Sequence, residues 1–142
     1  MGSYTARPIH VGSFRESRRA ELVFRGVEQA GASFEGRVFL DNPDANEATL
    51  KTAGNGYAGS FHVYGYGDHP PPALAAQKMR RGAAGPAVAP IEKRVNVDAA
   101  VLRTALERSD ELTVTVVPVP ADPGGPVPER PFETVEVVFD RG

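Results

Sequence analysis

The chain of 142 residues contains no cysteine, and that absence removes several chemistries at once. It has no disulfide to staple the fold, no zinc–thiolate site, no thiol nucleophile and no copper centre of the blue kind. A cysteine-free composition fits the cytosol without requiring it. No apolar run approaches the roughly 20 residues that a membrane-crossing helix needs. The opening Met1-Gly2-Ser3-Tyr4-Thr5-Ala6-Arg7 lacks the apolar centre of a signal peptide. Ala6 also stands where a myristoylation pattern wants serine or threonine. A cytoplasmic location is the expectation on these grounds, with no membrane partner. A basic footprint for nucleic acid is missing too, at a net charge of −2 and a pI near 5.9. The small cluster Lys78, Arg80 and Arg81 reads as solubilising.

What the chain has in quantity is glycine (15) and proline (13), so it turns often. Hydrophobic residues at 41% and charged residues at 24% are ordinary for one globular domain able to bury its own core. Residues 1–18 are polar and read as a leader or linker, with Ile9 and Val11 as a possible short edge strand. Residues 19–142 read as the domain. In 19–27, Ala20, Leu22 and Phe24 alternate with Glu21, Val23 and Arg25, the pattern of a half-buried strand. In 33–41, Phe34, Val38 and Leu40 share one face and Glu35, Arg37 and Phe39 the other. Asp41-Asn42-Pro43-Asp44-Ala45-Asn46 invites a calcium reading, but it lacks the glycine and glutamate of the helix–loop–helix calcium site and reads as a turn.

The stretch around which the chain is organised is Gly56-Tyr57-Ala58-Gly59-Ser60-Phe61-His62-Val63-Tyr64-Gly65-Tyr66-Gly67. Strict alternation puts Tyr57, Gly59, Phe61 and Val63 on the core face and Ala58, Ser60, His62 and Tyr64 on the other. Residues 67–90 follow, rich in proline and alanine and too long for a mere connection. Residues 91–97 alternate as a strand. Asp98 is placed to cap a helix from Ala99 to Arg108, with Val101, Leu102, Ala105 and Leu106 as its apolar stripe. Strands at 111–119 and 132–140 complete the chain, with a proline-rich loop at 120–131 between them. The expected fold is mainly β, an antiparallel β-sandwich of six to seven strands with one short helix.

Catalytic constellations are absent from the sequence. Ser60 and His62 share a strand face, but neighbours at that spacing lie roughly 6–7 Å apart, too loose for a nucleophile and its base. No Gly-x-Ser-x-Gly elbow and no phosphate-binding glycine motif is present. The histidines are His10, His62 and His69. A dioxygen-binding copper pair needs about six imidazoles, so this chain alone cannot form one. His62 and His69 are weak candidates for a single metal ion. Tyr64 and Tyr66, flanked by glycines at the mouth of the long loop, do not look like sandwich core and are candidates for presentation to a partner.

The order of these motifs resembles a known family. Arg19–Val27, Phe34–Leu40 and Gly56-Tyr57-Ala58-Gly59-Ser60-Phe61-His62-Val63 are similar to the C-terminal β-sandwich domain of type-3 copper proteins: tyrosinases, polyphenol oxidases and molluscan haemocyanins. So are Glu92-Lys93-Arg94-Val95-Asn96-Val97-Asp98, the helix after it, and Leu112 to Pro118. The resemblance covers about residues 19–140. The family's copper domain with its histidine helices is absent here, and the 67–90 loop is longer than the haemocyanin turn and lacks its Met-Pro-Trp-like stretch.

The resemblance implies a non-catalytic sandwich accompanying a tyrosinase-like oxidase, with copper held in the partner domain and none in this chain. In that family the sandwich lies over the copper cavity, often with a bulky side chain inserted as a plug. Tyr66 is the first plug candidate, then Tyr64, with His69 as a polar neighbour. Two other readings stand beside it. One is a copper-delivery helper using His62, His69 and Met79, and the other a free-standing binding module unrelated to copper.

Overall fold

The computed structural model describes residues 3–12, 19–27, 31–65 and 91–140. In chain order its elements are β1 (Tyr4–Thr5), β2 (Ile9–His10), β3 (Arg19–Val27), β4 (Phe34–Leu40), β5 (Tyr57–Val63), β6 (Ile91–Asn96), α1 (Ala99–Arg108), β7 (Glu111–Leu112), β8 (Val114–Pro120) and β9 (Thr134–Asp140). The strands form a four-stranded sheet in the order β1-β8-β4-β5, a three-stranded sheet β6-β3-β9 and a two-stranded ribbon β2-β7. Every pairing is antiparallel. Among the described residues the expected mainly β, antiparallel fold with one short α-helix is what forms. Among the described residues six strands are six residues or longer, and the other three are two-residue pieces.

The inward faces of the two larger sheets make one core. Leu22 and Phe24 of β3 meet Val38 of β4, Phe61 and Val63 of β5, and Val114 and Val116 of β8, all 4% exposed or less. Its centre is aromatic: the Phe24 ring lies 5.0 Å from Phe61 and 4.9 Å from Phe132, and Phe34 meets Phe61 edge-on at 6.2 Å. Helix α1 closes one side with Val101, Leu102, Ala105 and Leu106, the stripe its spacing implies. Asp98 caps it, Oδ1 accepting from the backbone N–H of Ala100 and Val101 at 3.0 and 3.1 Å.

Strict alternation fails in β5. Val38 pairs with Gly59 and Phe39 with Tyr57, so Ala58 is an extra residue, a β-bulge. Gly59 sits at φ 148°, and a Cβ there would come within 2.8 Å of Val95 Cγ1. The bulge turns Ala58 into the main core and Tyr57 out of it. Tyr57 packs instead on Phe39 at 5.6 Å, on the outer face of the sheet, with Ala45 and Val117. The core-face assignment of Tyr57 and the outward assignment of Ala58 are thus corrected, while Phe61, Val63, His62 and Tyr64 lie as alternation places them.

One more departure comes from a long-range partner. Ile9, read with Val11 as a short edge strand, lies in β2 against β7; β1 pairs with β8, and Val11 is 1% exposed in the core. Phe132 belongs to no strand, since β9 begins at Thr134, yet it is buried between Tyr4 and Phe24. On the outer face of the three-stranded sheet Val23 is 1% exposed, beside a lattice of ion pairs. Arg94 reaches Glu21 and Glu92 at 2.7 and 2.9 Å, and Arg25 reaches Glu136 and Glu92. The register Val23↔Arg94 and Val23↔Glu136 sets that valine between the charged strands.

Phe61 packs on Phe24 of β3 and Phe34 of β4, and its ring lies over Gly36, where a Cβ would come within 2.5 Å of Phe61 Cζ. Truncating it leaves a cavity that a β-carbon-free neighbour cannot fill. Phe61→Ala is expected to cost about 3–5 kcal/mol in urea unfolding. A loss below about 1 kcal/mol would show that the site collapses or that the ring is not core.

Candidate functional site

The site is built on the outward face of β4 and β5 and on the mouth where β5 ends. Antiparallel register sets Glu35 opposite His62 and Arg37 opposite Ser60. Glu35 is the hub. Its Oε1 accepts from Arg37 Nε at 2.9 Å and its Oε2 from Lys51 Nζ at 3.0 Å, with His62 Nε2 4.0 Å away. The Lys51 ammonium also sits 5.9 Å from the centre of the Tyr57 ring. Tyr57 and Ser60 share a hydroxyl–hydroxyl hydrogen bond, a contact that the bulge creates by bringing them to one face. Burial by itself would push the Glu35 carboxyl up. Hydrogen bonds from Lys51, Arg37 and Ser60, with the charge of Arg37, outweigh it and hold the group at about 2 against an ordinary 4.5.

At the mouth the backbone is pinned while the side chain is free. Val63 pairs with Phe34, and the Gly65 N–H donates to Ser33 Oγ at 2.9 Å. The Gly31 carbonyl passes so close that a Cβ on residue 65 would lie 2.0 Å from its oxygen, so only glycine fits. Between these two anchors Tyr64 is 77% exposed, the most exposed of the large hydrophobic side chains described. Beside it runs an open groove of about 290 Å³ lined by Ser33, Glu35, Arg37, His62 and Pro120 among others.

Of the residues singled out from sequence, the structure brings Tyr64 and His62 to one rim. Tyr66 and His69 lie outside the described residues, as do Met79 and Lys78, Arg80 and Arg81. His10 is in β2, paired with Glu111. Among the described residues no three histidine, aspartate or glutamate side chains cluster as metal ligands. Asp41-Asn42-Pro43-Asp44-Ala45-Asn46 forms turns, the Ala45 N–H donating to Asn42 O and the Ala48 N–H to Asn46 Oδ1. Ser60 is engaged by Tyr57 and Glu35, which supports no nucleophile–base pair with His62. The Glu35 hub escaped sequence reading because periodicity gives a face but not a partner. The signal present was a carboxylate and an arginine at i and i+2 on the polar face of β4.

No protein-family profile matches the chain, and no curated protein matches it. Among solved structures, the chain is similar to a latent aurone synthase (polyphenol oxidase) from natural source, with a TM-score of 0.47 and 15% identity. A recombinantly expressed latent aurone synthase matches with a TM-score of 0.44 and 14% identity. Each match covers 98% of this chain and 24% of the other, so this chain spans about a quarter of the length of those proteins.

Because the folded pKa of Glu35 lies below its ordinary value, the stability it contributes is complete above about 4.5 and is lost as pH falls toward about 2. Glu35→Gln is expected to lower stability at neutral pH and to flatten the acid limb across that window. Urea unfolding at a series of pH values checks this. Parallel curves for the two proteins would show that Glu35 is not the linked group.

Proposed function

We propose that this chain is a non-catalytic β-sandwich that accompanies a tyrosinase-like type-3 copper oxidase, and that it covers and regulates access to the oxidase's copper site. Copper belongs to the partner domain. The order of the strand and helix motifs supports the pairing. The observation that carries the docking face is Tyr64, a phenol on a backbone fixed at both ends and turned to solvent. A buried core gains nothing from such an arrangement, whereas a partner pocket does, because little entropy remains to be lost on docking. A phenol ring also has the size and polarity of the substrates such an oxidase takes, so it excludes both water and substrate from the cavity it enters. The charged groups beside it, Glu35, Arg37 and His62, form a polar rim around the aromatic anchor, the usual anatomy of a protein interface. Tyr66 and His69, close behind in sequence, extend the same proposal.

The test mixes this chain with its cognate copper domain and follows complex formation and catechol oxidation. The intact chain is expected to bind and slow turnover. Tyr64→Ala and Tyr66→Ala are each compared with it, and loss of the plugging ring is expected to weaken inhibition by about tenfold or more, near 1.4 kcal/mol. The copper-loaded chain alone is expected to oxidise no catechol. Unchanged inhibition and binding in both variants would place the interface elsewhere.

A further inference from the structure

The connection between β4 and β5 carries a chemistry that the docking reading does not use. The asparagines of the chain are Asn42, Asn46, Asn55 and Asn96. An asparagine loses its side-chain amide when the backbone nitrogen of the next residue attacks its Cγ, and the next side chain decides how easily the two atoms meet. Pro43 has no N–H to lose, which excludes Asn42. Glu47 and Val97 stand in the way at Asn46 and Asn96. Gly56, after Asn55, obstructs nothing, and the fold demands a glycine there. Its φ is 82°, and a Cβ would collide with the Leu40 carbonyl oxygen.

The same fold holds the reacting groups apart. The Asn55 N–H donates to Thr52 O at 3.1 Å and its Nδ2 to Leu50 O at 3.0 Å, while its carbonyl accepts from Asn42 Nδ2 at 2.9 Å. The Gly56 N–H donates to Ala53 O at 2.9 Å, and its carbonyl accepts from the Leu40 N–H at 2.8 Å. Attack needs the Gly56 nitrogen without its proton and the Asn55 carboxamide turned onto it. In the closed connection that proton is committed to Ala53 and the carboxamide to Leu50.

We infer that Asn55 is a site of spontaneous deamidation, gated by local opening of the 41–56 connection and using water as its only co-reactant. In the open form the Gly56 nitrogen gives its proton to water or hydroxide and bonds to Asn55 Cγ. The Cγ–Nδ2 bond then breaks, and the amide leaves as ammonia, with a proton from water. Water opens the resulting cyclic succinimide. Cleavage of the new N–Cγ bond returns aspartate. Cleavage of the original bond to the Asn55 carbonyl carbon gives isoaspartate, whose main chain is one methylene longer. That methylene moves Gly56 out of register with Leu40, so the connection no longer closes as before. Lys51, carried on the same connection, then loses its fixed place on Glu35. Each opening that ends in conversion is thereby made permanent.

The experiment incubates the full chain at neutral pH, folded and in urea. Peptide mapping by mass spectrometry counts aspartate and isoaspartate at each asparagine, and NMR follows exchange of the Gly56 amide in the folded chain. In urea, Asn55 is expected to convert before the other asparagines. Folding is expected to slow that conversion about tenfold or more. The slowing is expected to match the protection of the Gly56 amide to within a factor of about ten, because both need the same opening. Asn42→Ala removes the clamp on the Asn55 carbonyl and is expected to speed conversion in the folded chain about threefold or more, with the rate in urea unchanged. Equal rates folded and in urea, earlier conversion at Asn46 or Asn96, a larger mismatch with Gly56 protection, or an unaltered folded-state rate in Asn42→Ala would each overturn the assignment.

Discussion

One extra residue, Ala58, sets the geometry on which both sides of the molecule depend. Without the bulge, the pairing of β4 and β5 would turn Tyr57 into the sandwich and Ser60 away from it. With the bulge, a methyl group takes the inward place and the phenol joins Phe39 outside. The same distortion frees the Ala58 carbonyl to accept from the Asp98 N–H at 3.1 Å, which ties the four-stranded sheet to the start of α1. Gly59 lets β6 approach, because Val95 Cγ1 occupies the space where a side chain would stand. Helix position, sheet-to-sheet contact and outer polar face thus share one backbone irregularity, as bulges beside functional faces often do.

The outer face then follows from electrostatics at close range. Glu35 is mostly covered, at 18% side-chain exposure, and a covered carboxylate is tolerated only where donors surround it. Lys51 comes from the 41–56 connection and Arg37 from the same strand, so the ion cluster fastens that connection to β4. On the opposite sheet the Arg25 and Arg94 pairs are half exposed and individually weak, but they span all three strands beside Val23.

Much of this was legible in the sequence because local rules acted alone there. Asp98 followed by an apolar stripe gives α1 with its bounds, and alternation in β3 and β4 gives the core faces. What escaped needed a partner far along the chain. Tyr4 and Phe132 carry no periodic signal, and their burial depends on β8 and Phe24 arriving beside them. The bulge escaped because Ala58-Gly59 is compatible with either face until the register with β4 is known. At the site, the exposure of Tyr64 was legible from its flanking glycine, whereas the charge cluster around Glu35 required the β4–β5 pairing.

The run Val114-Thr115-Val116-Val117 shows no alternation, and all four residues are 0% exposed. β8 is covered on both faces, by the main core on one side and on the other, around Val117, by Phe39, Ala45 and Tyr57. The second layer is small and is supplied partly by the 41–56 connection. Such a layer can lift away in a local opening that leaves the sandwich closed, while the amides of β4 and β8 stay locked until the whole domain unfolds. Hydrogen exchange is therefore expected to be faster in the 41–56 connection than in the β4 and β8 strands it covers.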